Sequence, residues 1–113
     1  MPEFTVRVEL HEVDGVEPSP DDYESLHWAM QQEKYFRVIM DDKTKIWYHL
    51  PPAEYTVTWN GADAEKVCDD VEAIVAAVWS EASVLVTHSS QRRWVGLLEA
   101  TDKEVEELTE TQD

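Results

Sequence analysis

The feature that most constrains the fold is a strict alternation of apolar and polar residues near the start of the chain, over residues 4–10. One side of this segment carries Phe4, Val6, Val8 and Leu10, and the other carries Thr5, Arg7 and Glu9. A period of two over residues 4–10, rich in β-branched side chains, predicts a strand. We expect one face of this strand to be buried and the other to be open.

Two later segments have helical rather than strand spacing. The first is predicted to begin at Pro20 and to end near Lys34, because Ser19 can cap it and proline suits a first helical turn. The second is predicted over residues 63–79. Its apolar stripe consists of Val67, Val71, Ile74, Val75 and Val78.

Further alternating or apolar stretches predict additional short strands, which lie at residues 36–41, 45–50, 54–59, 83–87 and 92–98. The order of elements is typical of a ferredoxin-like βαββαβ fold of the α+β class. We expect two helices on one face of an antiparallel sheet with strand order 4-1-3-2. The segment 45–50 is expected to extend a hairpin of this sheet.

One domain is predicted over residues 1–100, since a chain of 113 residues is too short for a second core. Residues 101–113 form an acidic tail, which has two interpretations. Thr101 can cap a short helix, but the few apolar residues favour a flexible tail.

The charge of the chain restricts its partners. It has 25 acidic and 9 basic residues and a formal net charge of −16. Such a surface repels nucleic-acid phosphates unless its basic residues gather in one place, and it repels anionic membranes. With no long apolar run and no signal-peptide pattern, the sequence predicts a cytoplasmic protein that does not enter membranes. High negative charge is usual for solubility, and it also suits a partner with a basic surface.

Motifs for cofactor or metal chemistry are absent from the sequence. The three glycines form no phosphate-binding loop, and the single cysteine, Cys68, lies within a helical pattern. The four histidines lie on separate predicted elements without the spacing of a metal site. We therefore expect no cofactor and no bound metal.

Basic residues at two places are candidates for catalysis. On the open face of the sheet, Arg7 and Arg37 are predicted to lie side by side near His11, which suits phosphate binding or proton transfer. Near the end of the chain, His88 precedes the pair Arg92 and Arg93 across a polar loop. The alternative interpretations are ordinary cross-strand ion pairs for the first group and a hairpin turn for the second.

Other residues are candidates for binding a protein partner. Trp28 lies away from the apolar stripe of its helix, and Trp47 alternates with polar residues, so both are expected to anchor an interface or to cover a loop. Acidic rows can resemble phosphates; these are Asp69, Asp70 and Glu72, and Glu104, Glu106 and Glu107. The uncovered sheet face is expected to pair two copies in a homodimer.

Four strings carry a resemblance to a known family, and they are FTVRVELH (4–11), DDYESLHWAM (21–30), YHLPPAEYTV (48–57) and SVLVTHSSQRRWVGL (83–97). They resemble small bacterial and phage proteins of the GhoS-like family, the antitoxins of type V toxin–antitoxin systems. The resemblance implies a ferredoxin-like fold and a metal-independent endoribonuclease that cleaves a toxin messenger. It assigns no catalytic residue.

Two function hypotheses follow. The first is a GhoS-type regulatory protein that cleaves single-stranded RNA. The alternative is a non-enzymatic acidic protein that occupies a basic protein surface, as nucleic-acid mimics among anti-CRISPR and anti-restriction proteins do.

Overall fold

Over residues 2–112, which the computed structural model describes, the chain contains five strands and three helices. The ends of the predicted domain and tail, residues 1 and 113, lie outside this range. In chain order the elements are β1 (Glu3–Leu10), α1 (Pro20–Gln32), β2 (Val38–Met40), β3 (Trp47–His49), β4 (Glu54–Thr58), α2 (Ala64–Ala76), β5 (Ala82–Ser89) and α3 (Asp102–Thr109). No helix in residues 2–112 is both long and apolar enough to cross a membrane.

The strand β1 is the centre of a three-stranded antiparallel sheet with the order β4-β1-β5. Its pairing with β5 extends over all eight residues, from Glu3 opposite Ser89 to Leu10 opposite Ala82. Its pairing with β4 places Arg7 opposite Glu54 and Thr5 opposite Thr56. The alternation of residues 4–10 therefore predicted the central strand correctly.

The strands β2 and β3 form a separate two-stranded sheet, with Ile39 opposite Tyr48. The predicted α+β class with antiparallel strands is confirmed. A single ferredoxin-like sheet with the order 4-1-3-2 is not confirmed, because the strands form two sheets with a different order. One isolated bridge, between Phe36 and Thr56, connects the segment before β2 to β4.

Both long helices contribute to one apolar core with the alternating side of β1. The core side chains of β1 are buried, at 0–4% exposure, and they pack with residues of α1, β4 and α2. These partners are Leu26, Met30, Tyr55, Val57, Val67, Val71 and Val75. Because the β1 residues in this cluster all lie on one side of the strand, α1 and α2 cover the same face of the three-stranded sheet.

The beginning of α1 agrees with the predicted cap. The Ser19 hydroxyl accepts a hydrogen bond from the Asp22 backbone, and the Asp22 carboxylate accepts one from the Ser19 backbone, which is a capping box. At the start of α2, where no cap was predicted, the Asp63 carboxylate accepts a single hydrogen bond from the Lys66 backbone. Both helices end earlier than predicted, and the left-handed backbone of Lys34 (φ 69°) follows the end of α1.

The predicted last strand at residues 92–98 is wrong, because the last strand is β5, which ends at Ser89, and residues 92–98 form no strand. The chain instead leaves the three-stranded sheet and returns beside β3. There His49 donates its backbone N–H to Leu98, and Ala100 donates its own to Trp47. This pairing covers the free edge of the small sheet.

Residues 102–109 form the helix α3. Of the two interpretations of the acidic tail, this agrees with the short helix capped by Thr101. Thr101 and Glu104 make a capping box, and the Gln31 side chain donates to the backbone oxygens of Glu107 and Glu110. Gln31 is buried, so α3 is attached to the end of α1 through a protected contact. The flexibility of the tail in solution stays a prediction.

A buried hydroxyl provides a test of the core. Tyr35 is 1% exposed and donates to the Asp70 carboxylate at 2.8 Å; burial, with this bond, raises the pKa of Tyr35 above its ordinary value. We expect Tyr35→Phe to lower the free energy of unfolding by about 1–2 kcal/mol, because a hydrogen bond to a charged group is lost. Urea denaturation measures this change. Tyr48→Phe is the control, since the Tyr48 hydroxyl makes no hydrogen bond within residues 2–112, and an equal loss in both variants would contradict the prediction.

Candidate functional site

The face of the three-stranded sheet that lies opposite the two helices is open, and we call it the open face. On β1 it carries Thr5, Arg7 and Glu9, and on β5 it carries their direct partners Thr87, Leu85 and Ser83. Residues directly opposite one another in an antiparallel pair project to the same side. The open face is therefore polar, with one exposed leucine, Leu85, at 64% exposure.

A cleft of about 300 Å³ lies at one end of this face. It is lined by the loop after β2 and by the segment that follows β5, and we call it the arginine cleft. Its lining residues are Glu3, Met40, Asp41, Asp42, Lys43, Ser89, Ser90, Gln91, Arg92, Arg93 and Trp94. Both arginines of the predicted loop thus line one cleft, together with a lysine that sequence reasoning did not select.

The side chain of Arg92 connects the arginine cleft to the open face. Its guanidinium donates to Glu3 at 3.1 Å and reaches the Thr5 hydroxyl at 3.5 Å. Thr5 is also bonded to the Ser89 hydroxyl at 3.0 Å. Arg92 is consequently fixed in position, whereas Arg93 is exposed to solvent.

The opposite wall of the arginine cleft is a tight polar turn. The Asp41 carboxylate accepts hydrogen bonds from the backbone N–H groups of Lys43 and Thr44, at 2.8 and 3.3 Å. These bonds fix the turn and engage one carboxylate oxygen of Asp41. Asp42 is exposed and has no hydrogen bond to its carboxylate within residues 2–112. The cleft therefore combines three cations with carboxylates that can accept a proton.

Arg7 and Arg37 do not lie side by side as predicted. Arg7 is exposed on the open face. Phe36 is opposite Thr56, which belongs to the open side, so the next residue, Arg37, projects to the helix side. There it lines a second cleft of about 250 Å³, with His49, Leu50, Glu104, Glu107 and Leu108.

The second cleft joins Arg37 to the acidic helix α3. The His49 side chain contacts Glu104 at 2.9 Å. Hydrogen bonds from Thr101, together with His49, hold the pKa of Glu104 below its ordinary value. Arg37 therefore lines the same cleft as the carboxylates of Glu104 and Glu107.

His88 does not join the arginine cleft, although it precedes the loop in sequence. It lies on the helix side of β5, where its ring packs against Phe4 at a tilt of 36° with the centroids 5.1 Å apart. The side-chain alternation of a strand explains this, because Ser89 projects to the open side and His88 to the other.

His11 lies at the far end of the open face, beside Glu9 and Ser83. Its ring nitrogen Nε2 is 2.6 Å from the Ser83 hydroxyl, and Nδ1 is 3.7 Å from the Glu9 carboxylate. Six residues separate His11 from Thr5, which corresponds to about 20 Å along a strand. His11 and the arginine cleft are therefore two separate places. Sequence reasoning missed Ser83, which only the pairing of β1 with β5 identifies.

The acidic rows also differ from the prediction. Asp70 is half-buried and accepts the Tyr35 hydrogen bond, so it is part of the core boundary. The exposed row on α2 instead consists of Glu65, Asp69 and Glu72. In α3, Glu104 caps the helix and Glu107 lines the second cleft, which leaves Glu106 outside both arrangements.

The two candidate tryptophans have different surroundings. Trp28 is 51% exposed, as its place off the apolar stripe predicts. Trp47 is half-buried in β3, where its backbone oxygen accepts from Ala100. Their roles in binding a partner stay predictions. Among residues 2–112, no group of three or more His, Cys, Asp or Glu side chains is arranged to hold a metal ion.

A histidine between α1 and β4 provides a test by pH. His27 bonds the Tyr55 hydroxyl at 2.7 Å, and burial, with the charge of Arg37, lowers the pKa of His27 from 6.5 to about 4. Between these two values the unfolded chain binds a proton that the folded chain does not, so the free energy of unfolding falls as the pH falls.

We expect His27→Asn, which keeps an acceptor near Nδ1 and does not titrate, to lose less stability across that pH window than the natural chain. Urea denaturation at both ends of the window measures the difference. Equal losses in the two proteins would show that His27 does not carry this pH dependence.

In comparisons with known proteins, no family model, no curated protein and no solved structure matches this chain.

Proposed function

We propose that this protein binds single-stranded RNA at the arginine cleft and cleaves it, as a GhoS-type antitoxin of the cytoplasm would. One observation carries the proposal. Three of the nine basic residues line this cleft, and Arg7 lies on the adjoining open face, although acidic residues number 25. Basic side chains that gather against such a charge excess suit a phosphate ligand.

The cleft can hold one nucleotide by two kinds of contact. Arg93 and Lys43, which make no ion pair within residues 2–112, offer cations for phosphate oxygens, and Arg92 adds a guanidinium that is held by Glu3. Trp94 lines the same cleft and is half-buried against Tyr48, with the ring centroids 5.7 Å apart. A fixed indole can stack on an unpaired base, which favours single-stranded over double-stranded RNA.

The chemistry that suits these groups is transesterification without a metal. The ribose 2′-oxygen attacks the phosphorus, and the bond from phosphorus to the 5′-oxygen breaks. In the proposal Asp42 accepts the proton of the 2′-hydroxyl, and Lys43 donates a proton to the leaving 5′-oxygen. Arg92 and Arg93 balance the charge that develops on the phosphate oxygens. The products are a 2′,3′-cyclic phosphate and a 5′-hydroxyl end.

The finer fold assignment belongs to the same proposal. When the Phe36–Thr56 bridge is counted as strand pairing, the neighbours become β5-β1-β4 followed by the segment of β2. That order corresponds to 4-1-3-2 in a ferredoxin-like fold. The bridge supports the ferredoxin-like interpretation, and the resemblance of the sequence to the GhoS-like family agrees with it.

The cleft variant Arg92→Ala/Arg93→Ala tests the RNA proposal. We expect the natural chain to cleave single-stranded A/U-rich RNA slowly at low salt and to lose this activity as salt is raised. The double variant should lose at least ten-fold in cleavage rate, because it lacks both guanidinium groups. Gel analysis of end-labelled RNA measures the rate.

The matched control is Lys34→Gln/Lys103→Gln, which removes the same charge from exposed positions outside the cleft. It should retain cleavage within about two-fold, since surface charges away from a site contribute little to it. An intact RNA with the natural chain, or equal rates in all three proteins, would contradict the proposal.

A second candidate function rests on a different observation, the exposed acidic row of α2. Glu65, Asp69 and Glu72 follow one another at spacings of four and three residues, which places their Cβ atoms about 5–6 Å apart along one helix face. Such a row can occupy a basic surface that normally binds phosphates. In this alternative the protein is a non-enzymatic inhibitor or mimic.

The variant Glu65→Gln/Asp69→Asn/Glu72→Gln tests the mimic. If the mimic is correct, the natural chain retains a nucleic-acid-binding protein from host lysate at low salt and releases it at high salt. The triple variant should then retain at least ten-fold less. Its control, Glu12→Gln/Asp14→Asn/Glu17→Gln, removes three exposed charges from the loop before α1. Equal retention by both variants, or a partner that binds no nucleic acid, would contradict the mimic.

A further inference from the structure

The strand β5 forms an edge of the three-stranded sheet that has no backbone partner within residues 2–112. Two other edges are paired at least in part: Phe36 pairs with Thr56 beside β4, and the segment 98–100 pairs beside β3. The sequence of β5, ASVLVTHS, has eight residues without a carboxylate, lysine, arginine or proline. A long uncharged edge of this kind is a template for another strand.

The pairing with β1 determines which backbone groups of β5 point outward. His11 donates its backbone N–H to Glu81 at 2.9 Å, which makes these two residues a hydrogen-bonded pair. Hydrogen-bonded pairs recur at every second residue of an antiparallel ladder. Ser83, Leu85 and Thr87 therefore direct their backbone groups to β1. The outward groups belong to the even-numbered residues Ala82, Val84, Val86 and His88.

We propose that two copies of this chain pair through β5, antiparallel, with Leu85 opposite the partner's Leu85. In this register every outward residue meets another outward residue. Val84 pairs with the partner's Val86, and Ala82 pairs with the partner's His88, each twice by symmetry. The competing register, centred on Val86, aligns only three such pairs within the strand, so it forms fewer hydrogen bonds.

The side chains agree with the register that is centred on Leu85. On the open face, the exposed Leu85 meets its own copy, and Ser83 lies opposite the partner's Thr87. On the helix side, valines meet valines. No two like charges are directly opposite, although each chain carries −16, and charges farther apart than a Debye length of about 8 Å are screened at physiological salt.

This dimer differs from one that buries the open face. Edge pairing continues the sheet sideways, so that two three-stranded sheets become one of six strands. The open face of each copy, with Arg7, and its arginine cleft stay accessible to a ligand. The dimer is therefore independent of the proposed RNA cleavage, and either can fail without the other.

Sedimentation equilibrium across a hundred-fold range of concentration tests the association. We expect the mass to rise from the 13.1 kDa monomer toward twice that value for the natural chain. Leu85→Lys should stay monomeric, because it places two like charges opposite each other at the centre of the pairing. Val16→Lys changes another exposed apolar residue, outside β5, and should dimerise normally. A natural chain that stays monomeric throughout, or a Leu85→Lys variant that dimerises equally well, would overturn the proposal.

Cross-linking tests the register itself. In a chain where Cys68→Ala removes the natural thiol, Leu85→Cys should form a disulfide-linked dimer under mild oxidation. The two residues would form a non-hydrogen-bonded pair with Cα atoms about 4.5 Å apart, which is within disulfide range. Thr87→Cys should remain unlinked, because position 87 of one copy lies opposite position 83 of the other, which leaves the two introduced thiols several residues apart. Equal cross-linking at both positions, or none at Leu85→Cys, would refute this register.

Discussion

The pairing of β1 on both of its edges is the constraint on which the rest of the structure depends. One side of the strand is buried at 0–4% exposure under α1 and α2. Because side chains alternate strictly along a strand, burying Phe4 and Val6 forces Thr5 and Arg7 onto the open face. A slip of one residue would bury Arg7 and expose the core. The register of β1 therefore determines both which side chains form the core and which side chains lie on the open face.

The distribution of charge follows from this layered arrangement. The three helices carry 11 of the 25 acidic residues, whereas the end of the sheet holds Lys43, Arg92 and Arg93 in one cleft. The ion pair between Arg92 and Glu3 connects that cleft to β1. In the lining of this cleft the carboxylates of Glu3, Asp41 and Asp42 balance the three cations, although the whole chain carries a net charge of −16.

Patterns among neighbouring residues predicted those strands and helices whose formation depends on neighbouring residues. The alternation of residues 4–10 and the cap at Ser19 identified β1 and α1, because period and capping depend on neighbouring residues. The side on which Arg37 projects could not be predicted. It depends on the bridge between Phe36 and Thr56, twenty residues apart in sequence. The same limit hid the pairing of His11 with Ser83. It also hid the path of residues 92–98, which turn away from the three-stranded sheet so that the chain pairs beside β3.

The three-stranded sheet can bind other molecules in two ways: through side chains on its open face and through backbone groups on the outer edge of β5. Groups on the open face are side chains, so substitutions change what they bind without changing the fold. Groups on the outer edge of β5 are backbone amides and carbonyls, which every substitution except proline preserves. Binding at the edge is therefore controlled only by which side chains flank it, and here the flanking residues Val84, Leu85 and Val86 are uncharged. Natural sheets commonly protect such an edge with lysine, proline or a bulge. None of these protects β5 within the described residues, and a second copy of the same strand satisfies the backbone groups that the edge leaves unpaired.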